Sequence, residues 1–246
     1  MGTQHLYGDA IADVYDRLFP GTADAEHAAD FVAALCPEGG KVLELGVGTG
    51  RLALPIAARG HHVHGVDASA RMLEKLREKD PEQRVTTSVG DFAGDPLDER
   101  YDVVLLACHG LCGALEQQSQ VRTLIRMGEQ LADGGRVVLE TYEPKLYQGQ
   151  NGPVVAAQHL IGGGLLVSTT YANSHAQIVH VQHSVMDGSA QSQVTETNRW
   201  VWPSELDLMA RIAGLELEQR WSGWLKEPYG PDATRLVSVY RKVDAP

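Results

Sequence analysis

The chain has 246 residues, 43% hydrophobic and 22% charged, with a formal net charge of −11, which suits one globular domain with a large core or one domain carrying a sizeable insertion. Its longest apolar runs are strand-length, which excludes a helical membrane span. The acidic balance, with no run of Lys and Arg, argues against a nucleic-acid partner and tolerates a cationic ligand.

The segment 8–19 places Ile11, Val14, Tyr15, Leu18 and Phe19 on one face and predicts a short helix. "DAEHAADFVAALC" predicts a second, ending before Pro37 and the Gly39-Gly40 pair. Strands and helices then alternate. "KVLELGV" reads as a strand, "RLALPIAARG" a helix, "HVHGVD" a strand, and the stretch from Ser69 through "ARMLEKLREK" a helix. "RVTTSVGD" and "YDVVLLAC" are strands, "EQQSQVRTLIRMGEQLA" a helix and "GRVVLETY" a fifth strand. Such alternation, with near-continuous Val and Leu in the strands, predicts a doubly wound, mostly parallel α/β sheet. After residue 150 the pattern changes to four strand-like runs between Gly-rich or Asn/Ser/Asp turns, an antiparallel patch of hairpins. "PSELDLMARIAG" predicts a helix opened by Pro203 and closed by Gly214, and "LELEQRWSGWL" and "TRLVSVYRKV" are closing strands.

The chemistry concentrates in "LELGVGTGR", a strand, a glycine turn and the start of a helix, which is a nucleotide-binding pattern. Counted from Gly46, a dinucleotide fingerprint requires a third glycine where Arg51 stands; counted from Gly48, the looser form with Ala53 fits. Asp67, ending the second strand, can accept both hydroxyls of a ribose under either reading. Two further carboxylates favour an adenosyl sulfonium over a dinucleotide. Glu44 sits in an apolar strand, where a carboxylate needs a cationic or N–H partner, and Asp91 in "VGDF" can accept from an adenine amino group.

Together, "ELGVGTGR", "GVDASARML", "GDF" and "WPSELDLMARIAGL" resemble the class I S-adenosylmethionine-dependent methyltransferases, in particular bacterial small-molecule members such as amino-sugar N-methyltransferases. The resemblance implies a seven-stranded Rossmann-like sheet with an antiparallel last strand and a β-rich insertion after strand five. It implies S-adenosylmethionine as cofactor and S-adenosylhomocysteine as product. Gly46, Gly48 and Gly50 would let the backbone approach the methionine moiety, Glu44 would brace that loop or reach the amino group, and Asp67 would take the ribose. Met72 would lie against adenine, Asp91 would bind its amine with Phe92 beside it, and Ala107, Cys108 and His109 would pass beneath the sulfonium. Tyr7 and Tyr15 belong to an N-terminal segment that closes over the site, and Arg51 and Ala68 complete the cofactor-binding set.

His109 is the first candidate for acid–base work because it follows strand four directly, with Tyr7, Tyr142 and Glu143 behind it. The tryptophans all fall after residue 199, which predicts an aromatic substrate pocket from Trp200, Trp202, Trp224, Tyr229, Tyr142 and Tyr171. Where the amino-sugar enzymes tend to carry a His after strand four, this chain holds Gly113. The expected acceptor is therefore aromatic or alkaloid-like, methylated on N, C or O, with an amino sugar as the alternative and a nicotinamide-dependent oxidoreductase as the rival class.

No metal is expected: in "HHVH", His62 and His64 share a strand face away from His61, and His175, His180 and His183 read as solvated. Cys36, Cys108 and Cys112 predict reduced thiols in a cytoplasmic protein, and the opening MGTQHLYGDA shows no secretory pattern. The expected layout is an N-terminal helical lid over 1–36, a cofactor-binding core over 37–150, an insertion over 151–201, and a final helix with two strands over 202–246. Expected partners are a small-molecule substrate with no nucleic acid or membrane, in a monomer or homodimer.

Overall fold

The computed structural model describes residues 4–20, 23–94 and 97–243. Its centre is a seven-stranded sheet formed by β1 (Lys41–Leu45), β2 (His62–Asp67), β3 (Val85–Val89), β4 (Tyr101–Leu106), β5 (Leu131–Tyr142), β10 (Leu215–Trp221) and β11 (Arg235–Lys242). The order across the sheet is β10-β11-β5-β4-β1-β2-β3. The first five strands are parallel, and β11 runs antiparallel between β5 and β10. The chain winds outward from β1 to β3 and returns to lay β4 against the other side of β1. That reversal opens a crevice at the carboxyl ends of β1 and β4, where ligands bind in open α/β sheets.

Strand alternation divides the core into two layers. Val42, Val103 and Leu105 pack under α3 (Ala23–Ala33), α4 (Ala53–Ala58) and α5 (Ala70–Lys79). Leu43, Val104 and Leu106 pack under α6 (Gln117–Glu129) and α7 (Pro203–Ile212). Ser69 caps α5 by accepting the Met72 N–H.

The insertion is a second sheet, β6 (Val154–His159), β7 (Leu165–Asn173), β8 (Ile178–Asp187) and β9 (Ala190–Arg199), each strand antiparallel to the next. Leu166, Val185 and Val194 on one of its faces pack against Ile11, Ala12 and Leu18 of the N-terminal segment and Met72 of α5. The insertion and the N-terminal segment therefore meet over the carboxyl ends of the main sheet.

The single helix expected over 8–19 is two helices, α1 (Gln4–Ile11) and α2 (Tyr15–Leu18), separated by a turn. The turn exposes Asp13, which pairs with Arg71 and Lys75 of α5, while Ile11, Ala12 and Leu18 stay buried. Strand β5 begins at Leu131, earlier than the apolar run suggests, because a register shift lets Leu131 pair with Tyr101.

Candidate active site

The crevice is a cavity of about 540 Å³ between the main sheet, the N-terminal helices and β9. One half is built by the ends of β1 to β3. Gly46 and Gly48 line it, with φ of +68° and +55°. A Cβ on Gly48 would meet no atom within 4 Å among the described residues, so the loop offers bare backbone to the open space. Asp67, also on the wall, ties this loop to α5: its carboxylate accepts the Gly48 N–H and the Ser69 N–H, each at 2.8 Å. Burial raises its pKa, and those two donors oppose the rise. Ala68, Met72 and Phe92 supply an apolar slot beside it.

Glu44 does not line the cavity but lies behind the glycine loop, 3% exposed. The Ala53 N–H donates to its carboxylate, yet Oε2 has no hydrogen-bond partner among the described residues. Burial, with the negative charge of Asp67 adding to it and Arg51 opposing, pushes its pKa up to about 8. A buried acid with an orphaned oxygen beside a bare-backbone loop suits a ligand bearing an ammonium group. A ribose-accepting Asp67 and an apolar slot suit an adenosine. These residues fit S-adenosylmethionine.

Gly50 and Arg51 also lie off the wall. A Cβ on Gly50 would come 2.9 Å from Leu76 Cγ, so this glycine serves the packing of the loop on α5. The Arg51 guanidinium is turned under the end of β4, where Nη2 donates to Cys108 Sγ. Burial pushes the Cys108 thiol up to about 12, so it stays protonated at neutral pH. The Cys108 N–H donates to Glu140 at 2.8 Å, Arg235 donates to the other Glu140 oxygen at 3.0 Å, and Arg235 grips Asp24 on α3. This network holds two consecutive left-handed residues, Cys108 at φ +51° and His109 at φ +61°. Such conformations cost about 1–3 kcal/mol each and concentrate where a side chain must be aimed. Asp91 is exposed and accepts the Ala93 N–H at 2.8 Å; it is not on the cavity wall, although Phe92 is.

The other half of the cavity is lined by Tyr7, His109, Tyr142 and β9 residues 194–198, with Ala107, Cys108 and Tyr15 between the halves. His109 stacks on Tyr142 with ring centroids 3.6 Å apart. Burial depresses its pKa, so the imidazole is neutral at pH 7, and its Nδ1 has no partner among the described residues. Glu196 is the acid of this half. The Tyr7 hydroxyl hydrogen-bonds it, and burial together with the Glu196 charge raises the pKa of both Tyr7 and Tyr142.

The tryptophan pocket expected from the sequence is not what the structure builds. Trp200 is 1% exposed and stacks on Tyr147, which packs edge-on against Tyr142, so it stands behind the wall rather than in it. Trp224 packs edge-on against Phe31 of α3 in the core. Trp202 sits at the N-cap of α7, Tyr171 is exposed on β7, and the Tyr229 hydroxyl donates to Glu143 at 3.0 Å. None of these five lines the cavity wall. The cavity wall is tyrosine and histidine. His183, expected in solvent, is buried.

Glu196 is the residue that sequence reasoning missed. The signal existed: with Val194 and Asn198 it shares the inner face of an alternating strand, so it is an acid on a face built for burial.

The N-terminal helices are fastened over the site. Thr49 Oγ1 in the glycine loop donates to Asp16 at 2.6 Å, Ser69 Oγ donates to Asp9 at 2.6 Å, and Arg17 pairs with Asp187 of the insertion at 2.8 Å.

Residues 42–135 match a family model described as a methyltransferase domain. The cypemycin N-terminal methyltransferase of a Streptomyces species is 27% identical over 98% of this chain and 100% of its own length. An uncharacterized methyltransferase of Anoxybacillus flavithermus is 30% identical over 68% of this chain and 77% of its own. The CcbJ methyltransferase structure from Streptomyces caelestis superposes with a TM-score of 0.91 at 36% identity, covering 98% of this chain and 99% of that one.

Proposed function

The chain belongs to the S-adenosylmethionine-dependent methyltransferases, and from that premise we propose that it N-methylates an amine of a small natural-product molecule. The donor supplies a methyl group on a sulfonium sulfur, already a good leaving group. What the protein adds is alignment of the acceptor and exclusion of water, effects that contribute about 7–11 kcal/mol in well-oriented reactions.

One observation carries the amine reading: the acceptor half of the cavity contains a carboxylate, Glu196, facing Tyr7 and a neutral His109. A phenol could also hand a proton to this acid, but neither it nor a ring carbon, being neutral, gains charge attraction from an anion there. An ammonium does, because it is attracted to the carboxylate and must lose a proton before its nitrogen can attack. In this reading Glu196 binds the acceptor cation and takes its proton. Neutral His109, held against Tyr142, accepts a hydrogen bond from the amine without repelling it. Tyr7 orients Glu196. Glu44, the glycine loop, Asp67, Met72 and Phe92 hold the donor. The N-terminus named for the cypemycin enzyme, where a peptide carries its backbone nitrogen, supports the same choice of acceptor atom. The tryptophans, placed off the wall, no longer favour an aromatic acceptor.

The test is a panel of primary and secondary aliphatic amines, amino sugars, phenols and indoles with isotopically labelled methyl donor. Turnover of amines that falls at least about 10²-fold in Glu196→Gln is expected. Methylation of phenols or ring carbons with amines inert would end the proposal.

A further inference from the structure

Behind Glu196 the insertion sheet carries a polar row that binding alone leaves unexplained. The register sets Ser168 opposite His183 and His183 opposite Val194; Glu196 follows two residues along β9, on the same face. His183 Nδ1 lies 2.9 Å from Ser168 Oγ, and His183 Nε2 lies 3.8 Å from Glu196 Oε1. That Nε2 has no hydrogen-bond partner among the described residues, although the residue is only 8% exposed. Leaving a buried nitrogen unpaired is destabilising. The cost has a purpose if a small rotation of Glu196 closes the gap. The polar groups at hand are Ser168 from β7, Glu196 from β9 and, from α1, Tyr7, whose hydroxyl bonds Glu196. Across the cavity, His109, Tyr142, Tyr147 and Cys112 also feel the Glu196 charge.

We propose that His183 is a positioning residue for Glu196, and that the row Glu196–His183–Ser168 takes up the proton an ammonium acceptor loses before methyl transfer; the proton step rests on the amine reading above. The acceptor ammonium gives one proton to the carboxylate. Its freed lone pair forms the new N–C bond as the S–C bond breaks, with that electron pair retained on sulfur. The proton moves to His183 Nε2, and the imidazolium hands its Nδ1 proton by way of the Ser168 hydroxyl, which is half-buried, to solvent. The products are a methylammonium, a thioether and one released proton.

The test uses the full chain, labelled at histidine and saturated with S-adenosylhomocysteine, with the His183 signal assigned by its loss in His183→Gln. At pH 7 the His183 ring-nitrogen signals are expected to shift in Glu196→Gln, because the carboxylate 3.8 Å from Nε2 is lost. With an amine acceptor, His183→Gln is expected to lower kcat/KM at pH 7 about 10²-fold and to displace one limb of the pH profile, with donor affinity unchanged. Ser168→Ala, which touches neither Glu196 nor the cavity wall, displaces the same limb and guards against a folding defect in the histidine variant. His183 ring-nitrogen signals that stay put in Glu196→Gln while amines are methylated overturn the row alone. Signals that shift while only phenols are methylated overturn the proton step together with the amine reading.

Discussion

Replacing Glu44 by Gln isolates the most perturbed acid of the donor half. Burial raises its pKa from the ordinary 4.5 to about 8, a preference for the neutral form of up to about 5 kcal/mol. In the free protein at pH 7, roughly 90% of the molecules then carry a proton on this carboxyl. A donor ammonium held on the glycine loop in front of this acid favours the ionised form, so binding expels up to about one proton. Between pH 6 and pH 8 the ionised fraction climbs from about 1% to about 50%, and the affinity for S-adenosylhomocysteine should rise about fifty-fold. Calorimetry in two buffers of different ionisation enthalpy counts the protons released. Glu44→Gln should release none of them and bind with a flat profile over that range. The linkage to folding has the opposite sign: the native state holds this proton more tightly than the unfolded chain. Stability contributed at Glu44 is therefore greatest below pH 4.5 and declines as the pH rises to about 8, a slope the Gln variant lacks. Wild-type binding with no proton release, or equal release from Glu44→Gln, would refute the assignment of this acid to the donor's amino group.

Gly48→Ala places a side chain at φ +55°, a strain of about 1–2 kcal/mol, and points its Cβ into the donor space. The melting temperature should fall by about 2–8 °C while donor affinity drops at least about tenfold; unchanged affinity would show that the loop does not touch the donor. In Asp67→Asn the amide nitrogen must face one of two N–H donors, Gly48 or Ser69. Losing the charged acceptor should cost about 1.5–3 kcal/mol of donor binding by calorimetry. Trp224→Ala should lower stability in denaturant by about 3–5 kcal/mol with the acceptor KM unchanged, since the ring packs against Phe31 in the core. A raised KM at unchanged stability would return Trp224 to the substrate pocket.

The order and type of nearly every element followed from the sequence by itself, because strand alternation, glycine turns and caps act over a few residues. That Gly46, Gly48 and Asp67 would share one wall of a crevice was legible for the same reason. Gly46, Gly48 and Asp67 sit at fixed offsets around one strand–turn–helix unit and its neighbouring strand, so local chemistry placed them. Side-chain parity along a strand follows from sequence spacing alone, so residues 180 and 183, three apart, lie on opposite faces of β8. Which of those faces is buried does not, because that depends on what packs against it. The other half of the cavity is assembled from Tyr7, His109, Tyr142 and Glu196, brought from separate parts of the chain, with the insertion sheet lying on the N-terminal helices. Only that docking decided that tyrosines wall the cavity while the tryptophans support or lie away from it. It also decided that an acid in "VTETNR" lines the cavity. A side chain's environment is fixed by contacts distant in sequence, and no window of a few residues contains them.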